Sequence, residues 1–211
     1  MSDITIASHS YSFDYLDNKL SKVDTREKII YLGEALFQQF GYNGFSYKHI
    51  SDKLGIKNAA IHYHFPSKED LGVAIITHSR NRLERWKEKM DTLDISPTEK
   101  LEKYIDGMYG WQIEKGNRIC MIAATGTDYF SIPEKMQQQA QSLGYFIRKI
   151  YTEILEEGLK KGEFQFEGET KYQALSILMT LQGSLMTARL HGKEVFQIAK
   201  KQIFLNLITK K

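Results

Sequence analysis

Between Ser46 and Leu71 the chain fits two short helical signals, one glycine and a proline stop into 26 residues, and few folds accept punctuation that dense. Ser46 can cap a helix in which Ile50 and Leu54 share a face, and Gly55 supplies the left-handed residue that ends it. Ile56 falls in the turn. A second short helix then runs from Lys57 to His64, anchored inward by Ala60 and Ile61 and stopped by Phe65 and Pro66. Two short helices joined by a glycine turn must cross steeply, which needs a small residue at the approach and apolar pegs on both sides. Ser51 is the small residue, and Ile50, Leu54, Ile56 and Ile61 are the pegs. The spacing predicts a helix-turn-helix and leaves Lys48, Lys57, Asn58, Ala59, His62 and Tyr63 pointing outward.

Charge agrees with this pattern locally rather than globally. The whole chain is only +3, because 29 basic residues nearly balance 26 acidic ones. From Ser46 to Lys68, however, Lys48, Lys53, Lys57 and Lys68 face a single acid, Asp52. A surface that meets phosphates needs such a local excess.

The flanking sequence reads as helix throughout. Asp24 and Glu27 can cap a first helix carrying Ile29, Leu32, Leu36, Phe37 and Phe40 up to Gly41. Ser67 and Asp70 open a helix that meets no breaker until about Met90. Ser96, Pro97 and Glu99 open another, continuing to Gly116. A long helix begins near Ser131, Pro133 and Glu134 and ends at Gly158 or Gly162. Two more follow at about 169–191 and 193–208. Phe164 and Phe166 alternate with polar residues, but beside two glycines they predict a loop rather than a strand. The expected fold is all-α with roughly nine helices: a helix-turn-helix head over residues 23–70 and a helical ligand-binding and dimerisation domain over 71–211. Residues 1–22 form a tail without helical period and with no assigned role.

Several function classes lose support. The single cysteine, Cys120, cannot make an intrachain disulfide, and the N-terminus lacks a basic start followed by an apolar run, so a cytoplasmic location is expected. Tyr172 to Ala188 is uncharged but too short and too polar for a membrane span, and reads as a buried helix. His62 and His64 lie two apart on a helix and point to nearly opposite faces, so they cannot chelate one metal ion. No glycine-rich phosphate loop, catalytic triad order or paired metal motif appears, so neither an enzyme nor a cofactor is expected.

The motifs Leu54-Gly55-Ile56, Ile61-His62-Tyr63-His64-Phe65 and Pro66-Ser67-Lys68-Glu69-Asp70-Leu71 resemble the DNA-binding head of the TetR family of bacterial regulators. The likeness extends back through the first helix. One departure is His62, where the family commonly carries tyrosine. The resemblance implies that the helix from Lys57 to His64 enters the major groove, where Asn58 pairs with a base edge, Ala59 touches a thymine methyl and Lys48 reaches a guanine. It further implies phosphate contacts from His62, Tyr63 and Lys68, with Thr25 at the first helix N-terminus as a backbone anchor. Ser46, Tyr47 and Lys57 complete the expected DNA-binding set.

The same resemblance implies a homodimer on a roughly palindromic operator and a small-molecule effector held in the body. Tyr104, Met108, Trp111, Met121, Tyr129, Phe146, Met179 and Gln182 are the expected lining, suited to a partly apolar or aromatic compound, although each alone reads equally as core. Cys120 follows Arg118 and precedes a helix start, which would lower its pKa and make it a candidate sensor; the ordinary reading is a small buried hydrophobe. The last two helices carry more apolar surface than they need themselves, including Leu175, Leu178, Met179, Leu185, Phe196, Ile203, Phe204 and Leu207. The expected function is a repressor released from its operator by an effector. The alternative is a helical ligand carrier or enzyme whose head binds no DNA, and an activator with the same head has the same sequence signature.

Overall fold

The computed structural model describes residues 23–114 and 118–207, without the side chains of Trp111 and Glu114. The expected tail at 1–22 and the effector contact from Trp111 lie outside what is described. Helix α1 (Thr25–Phe40) starts where Asp24 Oδ1 accepts the Glu27 backbone N–H at 2.8 Å. Helices α2 (Tyr47–Leu54) and α3 (Asn58–His64) form the helix-turn-helix. Gly55 between them adopts φ 65° and ψ 31°, a left-handed conformation that a side chain would strain. Ile50, Ser51 and Ile61 are buried at the crossing, and Leu54 and Ile56 are packed against them.

Helix α4 (Lys68–Asp91) leads from head to body and opens on a reciprocal cap: Ser67 Oγ accepts the Asp70 N–H while Asp70 Oδ2 accepts the Ser67 N–H. Helix α5 (Pro97–Ile105) opens on the equivalent Ser96–Glu99 pair. Instead of one regular helix to Gly116, it passes through a π-helical turn (Asp106–Gly110) into α6 (Trp111–Glu114). Helix α7 (Met121–Thr127) and a 3₁₀ turn (Tyr129–Ser131) precede α8 (Glu134–Lys161), followed by α9 (Thr170–His191) and α10 (Glu194–Leu207). Counting the run from Pro97 to Glu114 as one, nine helices occur among the described residues, with no strand.

Ser131 does not cap α8. Its hydroxyl bonds Asp128 O, and Pro133 holds the cap position. Phe164 is buried against Gly158, and the Gln165 N–H donates to Leu207 O, which fixes the expected loop between α8 and α9. The long α8 is the hub of the body, with α4, α5, α7 and α9 packed around it. On the other side α1 touches α2, α3, α4 and α7, so the first helix belongs to both the head and the head–body junction.

Candidate DNA interface and effector cavity

The outward face of the head matches the expected composition. Lys48, Lys57, Asn58, Ala59, His62 and Tyr63 are exposed, and Tyr63 is 84% exposed although it is an aromatic ring on a seven-residue helix. Burial elsewhere holds these side chains in place. Tyr47 is half-buried, and its hydroxyl lies 2.8 Å from Phe65 O and 2.6 Å from Ser67 O, tying α2 to the turn between α3 and α4. Burial, then the charge of Asp70, pushes that phenol up to about 12, so it stays a donor. The His62 ring packs edge-on to Tyr47 at 4.8 Å, with Nδ1 3.3 Å from Pro66 O. Ser46 sits at the α2 N-terminus, where its N–H donates to His49 Nδ1, and Thr25 begins α1.

Lys68 departs from expectation. Its ammonium donates to Tyr42 O and Phe45 O and lies 4.5 Å and 4.6 Å from the centres of those two rings. Burial lowers its pKa below the usual lysine value. The carbonyls of the α1–α2 loop thus take donors that the sequence assigned to DNA phosphate, because that loop would otherwise leave them unpaired. Tyr47, named in the expected DNA-binding set, likewise spends its hydroxyl on an internal tie.

Within the body lies a cavity of about 440 Å³. Four of its lining residues, Tyr31, Glu34, Ala35 and Gln38, come from α1, and the rest come from α4, the π turn, α6, α7, the segment before α7, and α8. Of the expected effector residues, Met108 and Met121 line it. The others do not. Tyr104 is fully buried, its ring 4.6 Å from that of Trp86; Tyr129 bonds Gln141 on the surface; and Phe146 lies beneath the Arg80 guanidinium in a separate shallow depression. Met179 is 60% exposed on α9, and Gln182 lies on the same helix away from the cavity.

Sequence reasoning overlooked the polar groups of the cavity wall. Glu34 is buried, with Arg82 donating to both its oxygens at 2.7 and 2.8 Å and Ser79 Oγ donating at 2.7 Å. Burial alone would raise this carboxyl, but the charge of Arg82 and hydrogen bonds from His78, Arg82 and Ser79 outweigh it and hold it well below the usual range. A signal was available: Glu34 and Gln38 are polar residues four apart on a helix whose other inward positions are apolar.

Cys120 does line the cavity, but the expected lowering of its pKa is reversed. Burial pushes the thiol up to about 11 despite backbone hydrogen bonds from Ala123 and Ile122. The thiol therefore lacks the lowered pKa on which the sensor expectation rests.

The segment running from the cavity wall through α7 is fastened to the head at both ends. Ile119 N–H and the Arg189 guanidinium both donate to Gln38 O, at 3.4 and 2.9 Å, at the last turn of α1. At the other end Asp128 Oδ2 accepts the Tyr42 N–H at 2.5 Å, and Ser131 Oγ accepts from Asn43 Nδ2 at 2.8 Å. Between these ties, Met121 and Ile122 face the cavity.

Residues 29–75 match the family model described as bacterial regulatory proteins, tetR family. A TetR transcriptional regulator from Legionella pneumophila is 32% identical, with 86% of this chain and 98% of that one aligned at a TM-score of 0.76. A transcriptional regulator of the TetR family from Agrobacterium tumefaciens is 26% identical over 87% of this chain and 97% of that one, at a TM-score of 0.82. No curated protein matches the sequence significantly.

Proposed function

The chain belongs to the TetR family of DNA-binding bacterial regulators, and from that premise we propose that it is a homodimeric repressor released from its operator by a small molecule bound in the α1-lined cavity. The head comprises residues 23–70 and the body 71–211. In the groove, α3 presents Asn58 and Ala59 to base edges, with Lys48 reaching in from α2, and His62, Tyr63, Lys57, Ser46 and the α1 N-terminus at Thr25 meet phosphates. Two-fold symmetry then calls for half-sites at least one helical turn apart, about 34 Å.

The observation that carries this reading is the shared wall: Ala35 and Gln38 on the head's own first helix line a cavity that the body otherwise encloses. A molecule that fits only when α1 and the α7 segment shift would stabilise a head spacing that mismatches the operator. A preference of about 3 kcal/mol for that state lowers operator affinity roughly 150-fold. The exposed face of α9 and α10, with Leu175, Met179, Met186, Leu190, Ile198 and Leu205, supports pairing of two copies.

Selection of bound duplexes from a random pool tests the reading. A palindromic winner, bound with steep salt dependence and lost on Tyr63→Ala substitution, is the expected outcome. An absence of any enriched sequence at low salt contradicts it and favours a carrier or enzyme with a silent head.

A further inference from the structure

The cavity wall combines a closed ion pair with an open hydrogen-bonding group. Glu34 is matched by the two-pronged contact from Arg82 and receives Ser79 as well, so its charge asks for no counter-ion. Arg118, also on the wall, already has an interaction of its own. Cys120 is a neutral thiol. An anionic ligand would meet the Glu34 carboxylate, and a cationic one a carboxylate that Arg82 already neutralises.

Gln112 is different. It is 5% exposed, it lines the cavity, and its Oε1 has no hydrogen-bond partner among the described residues. Buried polar groups are seldom left so, and one on a cavity wall is explained by a ligand atom. The same wall carries apolar and aromatic side chains, among them Tyr31, Leu83, Trp86 and Tyr109. Trp86 is seated against Gly107 in the π turn, where a Cβ would overlap the indole and drive it from its place. Irregular π turns of this kind recur at functional sites, and here the turn carries Met108 to the wall.

We propose that the cavity takes a neutral aromatic alcohol or phenol, its ring among Trp86, Met108 and Met121 and its hydroxyl hydrogen-bonded to the Gln112 carboxamide; this rests on the effector reading for its regulatory meaning. A hydroxyl serves the carboxamide in either orientation, donating to the oxygen or accepting from the nitrogen. A carboxylate can only accept, and a hydrocarbon leaves the amide unpaired.

Three probes of one skeleton test this on the full chain without DNA: 2-naphthylmethanol, 2-naphthoate and 2-methylnaphthalene, with affinity measured by calorimetry and thermal shift. The alcohol is expected to bind about tenfold more tightly than either of the others, and Gln112→Leu is expected to erase its advantage over the hydrocarbon. Carboxylate binding as tight as the alcohol's, an alcohol affinity unmoved by Gln112→Leu, or failure of all three probes to bind overturns the proposal. The ranking on the parent protein decides the matter even if the variant does not fold. Alcohol binding that depends on Gln112 but leaves operator affinity intact supports the ligand class and overturns the effector reading instead.

Discussion

Tyr63 has no folding reason to be where it is: an 84% exposed ring on a seven-residue helix contributes little to the core. Its replacement by alanine should leave the melting temperature nearly unchanged and weaken operator binding by about 1–3 kcal/mol, as should Asn58→Ala, with only the latter relaxing base preference. Lys68 sits on the other side of this divide. Because its ammonium holds Tyr42 O and Phe45 O, Lys68→Met should lower thermal stability while leaving the salt dependence of DNA binding largely intact. Glu34 adds a pH signature. Its carboxyl is held below its ordinary value of 4.5, so the stability it contributes is complete above that pH and is lost as the solution is acidified below it. Glu34→Gln should therefore cost about 1–3 kcal/mol at neutral pH by removing the charge to which Arg82 and Ser79 donate, and the gap in melting temperature between variant and parent should narrow steadily below pH 4.5.

At the scale of elements, the α7 segment is the piece whose attachment matters most. Its ties to Gln38 O and to the Tyr42 N–H join the cavity wall to the head without passing through α4. Asp128→Ala removes the acceptor for the Tyr42 N–H and should cost about 1–3 kcal/mol of stability. In a gel-shift titration the same variant should need more effector to release the operator, because one of the two hydrogen bonds at this end of the α7 segment is gone; an unchanged release curve would show that this bond transmits nothing. The π turn has a related logic, since it rotates Gly107 under Trp86 and brings Met108 to the cavity, which a regular helix continuing from α5 would not do.

For the whole molecule, the exposed apolar stripe on α9 and α10 sets a clear expectation. Met179, 60% exposed, and Leu190, 81% exposed, lie eleven residues apart on one helix with Met186 between them. The double change Met179→Glu and Leu190→Glu should give monomers in sedimentation analysis and abolish operator binding, since a single head makes too few contacts. Burial within one protomer sorts the apolar residues that the sequence offered for pairing. Leu175 and Met179 are exposed, whereas Leu178, Leu185, Phe196, Ile203 and Leu207 are buried inside the protomer. Apolar content told that α9 and α10 had surplus surface, but which residues face outward depends on how the pair sits on α8.

That division runs through the protein. By itself the sequence determined the starts of α1, α2, α4 and α5, the left-handed Gly55, the reciprocal caps at Ser67 and Ser96 and the outward face of α3, because each follows from spacing within a few residues. Only the tertiary structure decided what the cavity contains. Glu34, Gln38, Arg82 and Gln112 meet there from three distant segments, while Tyr104, Tyr129 and Phe146, equally plausible by residue type, are drawn into the core or left on the surface. It also decided that Lys68 serves a loop and that Cys120 keeps its proton, since burial and long-range partners fix both and neither is written in local periodicity.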